Sequence, residues 1–375
     1  ALQFPGILRR DFQQEPGRGF PEQQCFGARS LAPSGHGVEV VTTASSPPAR
    51  QAYRVGYVSR RLPPGLRHLA VVLRVARRAR AADVVYATSM IGRSSLGSFL
   101  ARRPLVAKLV ADAAYERARR QGLFDGSLAD FQSAPARGRV AVLRRVRDLA
   151  LRRTSHVVCP SGYLKELAVG WGLPAERVTV LPNPAPDLPE LPPHAERAGA
   201  PLLAFAGRVN KQKALEVLLE AMTKAPGVEL VIAGDGTEVA RLQAASRELG
   251  LNGRVRFVGP LDRNGVLELF RSADASVLSS AWENFPHTVV EALAVGTPVI
   301  STAVGGVTEV VEDGANGLLV AAGDADALAA AIRRYFEDGE LRARLRANAA
   351  ASVEPLHRDR VYGRLEEILA AAARS

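Results

Sequence analysis

Two runs of alternating strand and helix, separated by one proline-rich stretch, constrain this chain more than any other feature. From Val38 onward, short β-branched runs at 38–42, 84–86, 105–110 and 156–159 alternate with helical stretches. That alternation predicts a parallel α/β sheet covered by helices. Prolines then recur at Pro182, Pro184 and Pro186 and continue to Pro201, which predicts an extended linker. A second series follows, with buried-type strands at 202–206, 228–233, 255–258, 275–278 and 298–300. Each of these ends in a turn rich in Gly, Asp or Ser and leads into a helix. The expected organisation is therefore an N-terminal parallel α/β domain at 35–182, a linker at 183–200 and a second such domain at 201–355. A last helix at 356–375 is expected to pack back on the first domain.

Composition removes several classes of function. With 47% hydrophobic and 23% charged residues in 375, the chain is neither disordered nor collagen-like. Arginines interrupt every apolar run before it reaches 18 residues, so no membrane span is expected. Two cysteines, Cys25 and Cys159, speak for a reducing compartment and a cytoplasmic location rather than a disulfide scaffold. The opening residues carry neither an initiating Met nor an apolar leader, as in a fragment or a mature form.

The net charge of +11 is unevenly spread: residues 1–200 hold 30 Lys and Arg against 15 Asp and Glu, and the remainder 19 against 23. Arginines crowd 74–80 and 137–153, on segments that read as amphipathic helices with Val140, Leu143, Val146 and Leu149 on one side. Such a face is either simply solvated or attracted to an anionic membrane surface or anionic substrate. Nucleic acid is the weaker partner, because no aromatics are interleaved with the charge.

Ligands of open α/β sheets bind beyond the carboxyl ends of the strands, so chemistry is sought in those turns. The turn after 202–206 reads Gly207-Arg208-Val209-Asn210-Lys211-Gln212-Lys213. A planar guanidinium and an ammonium beside a glycine suit a diphosphate. Farther on, Glu283 lies in a loop after a strand and Glu291 eight positions later in a helix introduced by Pro286. Two carboxylates so spaced can accept hydrogen bonds from separate hydroxyl-bearing parts of one extended ligand. Gly305-Gly306 then opens a short helix whose amides suit phosphate oxygens. Singly, each has an ordinary reading as solvated cations, a helix glutamate facing solvent or a plain glycine turn.

Taken in order, Gly207-Arg208 with Lys213, Gly234-Asp235-Gly236, Glu283 through Glu291, Gly296-Thr297-Pro298 and Gly305-Gly306 resemble the donor domain of the retaining glycosyltransferases of family 4. The resemblance runs from about Gly35 to the end and implies the GT-B architecture, two Rossmann-like domains facing a cleft. It implies that Arg208 and Lys213 neutralise the diphosphate of a UDP-sugar or GDP-sugar, that Glu283 contacts the transferred sugar and that Glu291 holds the ribose. The backbone at Gly207 and the amides of Asn284, Phe285, Gly305 and Gly306 would complete the donor site. The acceptor would be a hydroxyl of a sugar, a lipid-linked sugar or a small molecule, with no obligatory cofactor or metal. On the acceptor side, Asp112 at a strand's end could orient a hydroxyl or cap a helix, and the histidine common there is absent from Ser89-Met90.

Residues 1–34 depart from the family, with no hydrophobic period of 2 or 3.6 where a first strand and glycine turn belong. They are expected to be anomalous and poorly ordered. That leaves three rivals to a transferase: a catalytically weak nucleotide-sugar-binding protein of the same fold, a sugar-nucleotide epimerase and a basic nucleic-acid module.

Overall fold

The computed structural model describes the backbone of residues 3–10 and then residues 35–48, 51, 53–189 and 199–374. They form two compact units: one gathers the opening strand, the region up to Pro182 and the final helix, and the other runs from Asn183 to Arg360.

The first unit is built on seven parallel strands. They are β1 (Gln3–Arg10), β2 (Gly37–Ala44), β3 (Arg54–Ser59), β4 (Val85–Ala87), β5 (Leu105–Lys108), β6 (His156–Cys159) and β7 (Val178–Val180), in the spatial order β3-β2-β1-β4-β5-β6-β7. Its helices are α1 (Pro64–Ala79), α2 (Ile91–Ala101), α3 (Ala113–Arg120), α4 (Leu128–Ser133), α5 (Gly138–Arg152) and α6 (Gly162–Gly170).

The expectation that the opening segment supplies no first strand is corrected here. β1 stands in the middle of the sheet, paired with β2 on one side and β4 on the other. Its pattern hid because Pro5 lacks a donor and the register shifts between Pro5 and Ile7, which breaks the two-residue period. The rest of the segment said to be poorly ordered, 11–34, lies outside the described residues.

Helix α5 shows which way its apolar side faces. Of the apolar side read from the sequence, Val146 and Leu149 are exposed, and the helix turns Arg147 and Leu151 inward.

The second unit holds six parallel strands, β8 (Leu202–Ala206), β9 (Glu229–Ala233), β10 (Val255–Gly259), β11 (Ala275–Leu278), β12 (Val299–Thr302) and β13 (Gly317–Val320), in the order β10-β9-β8-β11-β12-β13. The order reverses between β8 and β11, the position where such sheets open a crevice at their carboxyl edge. Helices α7 (Leu215–Thr223), α8 (Val239–Glu248), α9 (Arg263–Ser272), α10 (His287–Ala294), α11 (Ala325–Glu337) and α12 (Gly339–Ser352) cover it. Residues of both strands and helices, Phe205, Ile232, Ile300, Leu218 and Leu293 among them, join one fully buried cluster. A sheet covered on both faces explains why β8 reads as an unbroken apolar run, whereas β10 stands at the sheet edge with every residue half-buried or exposed, which corrects its reading as a buried-type strand.

The last helix, α13 (Arg358–Arg374), places Val361, Leu365, Ile368, Leu369 and Ala372 in a cluster with Val40, Tyr86, Val106 and Val158 of the first unit's sheet. Spacings of three and four put those five residues on one stripe.

Candidate active site

The site begins where β8 ends. Glycine there is dictated by space: a Cβ on Gly234 would sit 1.8 Å from the Gly207 carbonyl oxygen, and one on Gly236 2.1 Å from that of Val209. Gly234 also holds φ +144°, which side chains rarely adopt. The turns after β8 and β9 therefore lie backbone to backbone, and the Val209 amide donates to the Asp235 carbonyl at 2.9 Å. This contact fixes the path of the chain at Arg208, whose side chain is left exposed at the tip.

Lys211–Lys213 forms a single 3-10 turn, and Ala214 with φ +44° redirects the chain into α7. The turn is joined to the loop after β11 by three hydrogen bonds. The Ala281 amide donates to the Gln212 carbonyl at 2.8 Å, Gln212 Nε2 to the Trp282 carbonyl at 2.9 Å and Ser279 Oγ to the Lys213 carbonyl at 2.8 Å. Across this seam Lys213 Nζ meets Glu283 Oε1 at 2.5 Å. Their side chains are only 12% and 7% exposed, so little water screens the pair. Ser280 Oγ donates to the same carboxylate oxygen at 2.7 Å, and Thr302 Oγ1 secures the Ser280 carbonyl at 2.7 Å.

Gly207, Lys213, Glu283 and Gly306 thus form one connected group. A Cβ on Gly207 would lie 3.8 Å from Lys213 Cε, and the Gly306 amide donates to the Glu283 carbonyl at 3.3 Å. That last bond corrects the expectation for Gly306: its amide holds the Glu283 loop instead of standing open to phosphate oxygens. Gly305–Val307 is also only a three-residue 3-10 turn, too short for the macrodipole expected of a helix.

Phe285 is buried in the unit's core and meets the His287 ring edge-on at 5.6 Å. Asn284 is half-buried beside it. Glu291 lies about one turn into α10, 3% exposed, in a stretch from Val289 to Leu293 that is buried at every position.

Asp112 behaves differently from its acceptor-side reading. Its Oδ1 accepts from the Ala114 and Tyr115 amides at 2.9 and 3.2 Å, capping α3. Its Oδ2 accepts from Arg147 Nη1 at 2.6 Å and Gln132 Nε2 at 3.1 Å. At 1% exposure the carboxylate is committed to the protein, so the role of orienting an acceptor is corrected to that of a helix cap and buried ion pair.

Sequence reasoning missed Gln212, Ser279, Ser280 and Thr302, which brace the Lys213–Glu283 pair. It also missed Asn210, whose Oδ1 is buried and, among the described residues, meets no hydrogen-bond donor. Asn210 sits in the cationic turn already singled out, and that position was the available signal. Among the described residues, no group of three or more His, Cys, Asp or Glu side chains is placed to hold a metal ion.

Comparison with known proteins gives three findings. Residues 190–352 match the glycosyl transferases group 1 family, and 28–184 match the glycosyl transferase 4-like domain. The lipopolysaccharide core biosynthesis glycosyltransferase LpsE of Rhizobium meliloti is 39% identical over 148 residues, 40% of this chain and 43% of that protein. The D-inositol 3-phosphate glycosyltransferase of Xylanimonas cellulosilytica is 34% identical over 224 residues, 54% of each chain. The chain therefore spans about half the length, or less, of the curated relatives it matches. Among solved structures, Anabaena Alr3699/HepE in complex with UDP and glucose superposes with a TM-score of 0.77 at 22% identity, covering 99% of this chain and 100% of that one. Sucrose-phosphate synthase from Thermosynechococcus elongatus gives 0.76 at 21%, with the same coverage. These likenesses establish the fold as α/β of the GT-B kind.

Proposed function

Because the chain belongs to the group 1 glycosyl transferases, with a glycosyl transferase 4-like domain ahead of the family's own, we propose that it transfers a hexosyl group from a nucleoside-diphosphate sugar to an acceptor hydroxyl with retention of configuration. The observation that carries this reading is the nearly buried Lys213–Glu283 pair, held between loops from two strands at the carboxyl edge of one sheet. Burying two charges costs desolvation, and a well-packed apolar pair would serve stability as well or better. An ammonium and a carboxylate prepared side by side suit a ligand that joins an anionic diphosphate to a sugar.

In this reading Arg208 and Lys213 face the diphosphate, Glu283 accepts from a hydroxyl of the transferred sugar and Glu291 from the ribose. Amides at Asn284, Phe285 and Gly305 add to the cradle, and Gly207 lets the backbone come close. The bond from the sugar C1 to the diphosphate oxygen breaks as the sugar becomes oxocarbenium-like. The acceptor oxygen bonds to C1 on the same face, and its proton passes to the departing diphosphate. Negative charge grows on that leaving group, so cations aimed at it stabilise the transition state more than the ground state.

UDP is preferred to GDP as the donor nucleotide, supported by the fold shared with HepE, which was solved with UDP and glucose. The rival reading of a weak binder drew on a missing first strand, which β1 supplies. Thermal unfolding with UDP, GDP and UDP-glucose tests the reading, since a ligand bound by the folded state raises stability as RT ln(1 + [L]/Kd). A larger rise with UDP than with GDP is expected, followed by a retained anomeric configuration in the product's NMR spectrum. No rise with either nucleotide would remove the proposal, and an inverted anomer would remove retention.

A further inference from the structure

The first unit carries an outward apolar face on three of its helices, outside the donor loops. Helix α1 packs against α2 so closely that a Cβ on Gly97 would lie 2.7 Å from that of Val75, and α2 reaches α5 where a Cβ on Gly92 would meet that of Ala150 at 3.7 Å. Side by side, the three helices present outward stripes that are apolar. On α1 the inward positions are taken by Val71, Val72 and Val75, and Leu66, Leu69 and Leu73 point out, 55 to 60% exposed. On α2 Phe99 is 66% exposed, and on α5 Val146 and Leu149 are about half exposed. Spacings of three and four residues make each set a stripe rather than scattered surface carbon.

Arginines frame the stripes. Arg77 continues the α1 stripe one turn beyond Leu73, Arg103 follows Phe99, and the Arg153 guanidinium lies 5.8 Å from the Phe99 ring centroid. Between Arg60 and Arg103 the sequence holds ten arginines and one acidic residue, Asp83. Among the described residues no helix is long and apolar enough to cross a membrane.

We propose that the outer face of α1, α2 and α5 docks on the surface of an anionic lipid bilayer. Leucine, phenylalanine and valine enter the headgroup boundary while guanidinium groups meet lipid phosphates, their stems lying along the apolar surface. A second copy of this chain is the less fitting occupant, because it would bring arginine against arginine. The inference does not depend on the sugar-transfer reading, since none of these residues belongs to the donor loops.

Co-sedimentation of the full chain with vesicles of equal phosphatidylglycerol and phosphatidylcholine, against pure phosphatidylcholine, tests it at low salt. Binding to the anionic vesicles alone is expected, weakening as salt screens the arginines. Arg77→Gln and Arg103→Gln should each lower affinity about fivefold. Leu69→Gln, Phe99→Gln and Leu149→Gln should each lower it about tenfold. All five positions are exposed, so unchanged thermal unfolding and UDP response should accompany the loss. Equal binding to neutral vesicles, or no binding to anionic ones, would overturn the proposal. So would a concentration-dependent dimer, broken by Phe99→Gln, in a chain that ignores lipid.

Discussion

Replacing Lys213 by Met separates the role the geometry shows, neutralising Glu283, from the role proposed for it, attracting a diphosphate. In the native pair Lys213 Nζ lies 2.5 Å from Glu283 Oε1, and both side chains are close to fully buried. Removing the ammonium leaves that carboxylate with Ser280 as its described donor. An uncompensated buried charge costs about 3–5 kcal/mol, so Lys213→Met should lose stability on that scale in urea unfolding. A second substitution, Glu283→Gln, removes the stranded charge and should return most of it. Diphosphate binding should respond differently. A hydrogen bond to a charged group is worth about 1.5–3 kcal/mol, so UDP affinity should fall about 10- to 150-fold in Lys213→Met. It should stay low in the double variant, whose packing is restored but whose cation is missing.

Glu283→Gln alone should tighten UDP, because the ammonium then faces the phosphate unopposed, and should still slow transfer. Isothermal titration with UDP, run beside the unfolding curves, reads both effects. Arg208→Ala is the control: the side chain is exposed, so it should weaken UDP with no loss of stability. Recovery of UDP affinity together with stability in the double variant would show that Lys213 only balances Glu283. The diphosphate assignment would then fail.

Three further outcomes are expected. Gly234→Ala would push a methyl carbon against the Gly207 carbonyl at a backbone angle hostile to alanine, and should cost more than about 2 kcal/mol and weaken UDP binding, both seen in one titrated melt. Asp112→Ala removes the α3 cap and leaves Arg147, at 8% exposure, with the partly exposed Asp148 as its described carboxylate partner, so it should cost more than about 2 kcal/mol with UDP affinity intact; an unchanged melting temperature would contradict the capping and ion-pair account. Burial lowers the Lys108 ammonium to about 8, while the unfolded chain holds that proton to about 10.4, so the unfolded state binds more protons between those values and stability rises with pH there. Urea midpoints from pH 8 to 10 should show the rise, and Lys108→Met should flatten it.

The alternation of strand and helix was legible wherever a strand is buried on both faces. Leu202–Ala206 and Ala275–Leu278 are buried at every position and announce themselves as apolar runs. Strands that went unseen have other reasons to form. β3 is an edge strand whose Arg-Val-Gly-Tyr-Val-Ser is mostly half-buried, and β7 has only three residues. β13 opens on Gly317, where a Cβ would sit 2.4 Å from the Val299 carbonyl oxygen, a closeness that spacing cannot reveal. In α5 the 3.6-residue period was real but pointed outward, because Arg147 is drawn inside by Asp112 and by the Trp171 ring, 3.7 Å away. Period identifies a stripe; which way it faces depends on partners elsewhere in the chain.

The same division runs through the site. Arg208, Lys213, Glu283 and Glu291 could be singled out because chemistry of their type at carboxyl ends of strands is informative. Their pairings could not, since Lys213 and Glu283 stand 70 residues apart and Asp112 and Arg147 stand 35 apart. The bracing residues left even less trace, because Gln, Ser and Thr occur in any turn. What gives Ser280 its role is the pairing of Ser276 with Val299 and Leu278 with Ser301, which delivers the loop after β11 to Thr302 at the end of β12. A one-residue slip between those strands would turn their side chains to the opposite face. Thr302 would then release the Ser280 carbonyl, and the serine that steadies Glu283 would lose its anchor. The charge pair is therefore specified by sheet register as much as by its own two residues, and register belongs to the fold rather than to any local stretch of sequence.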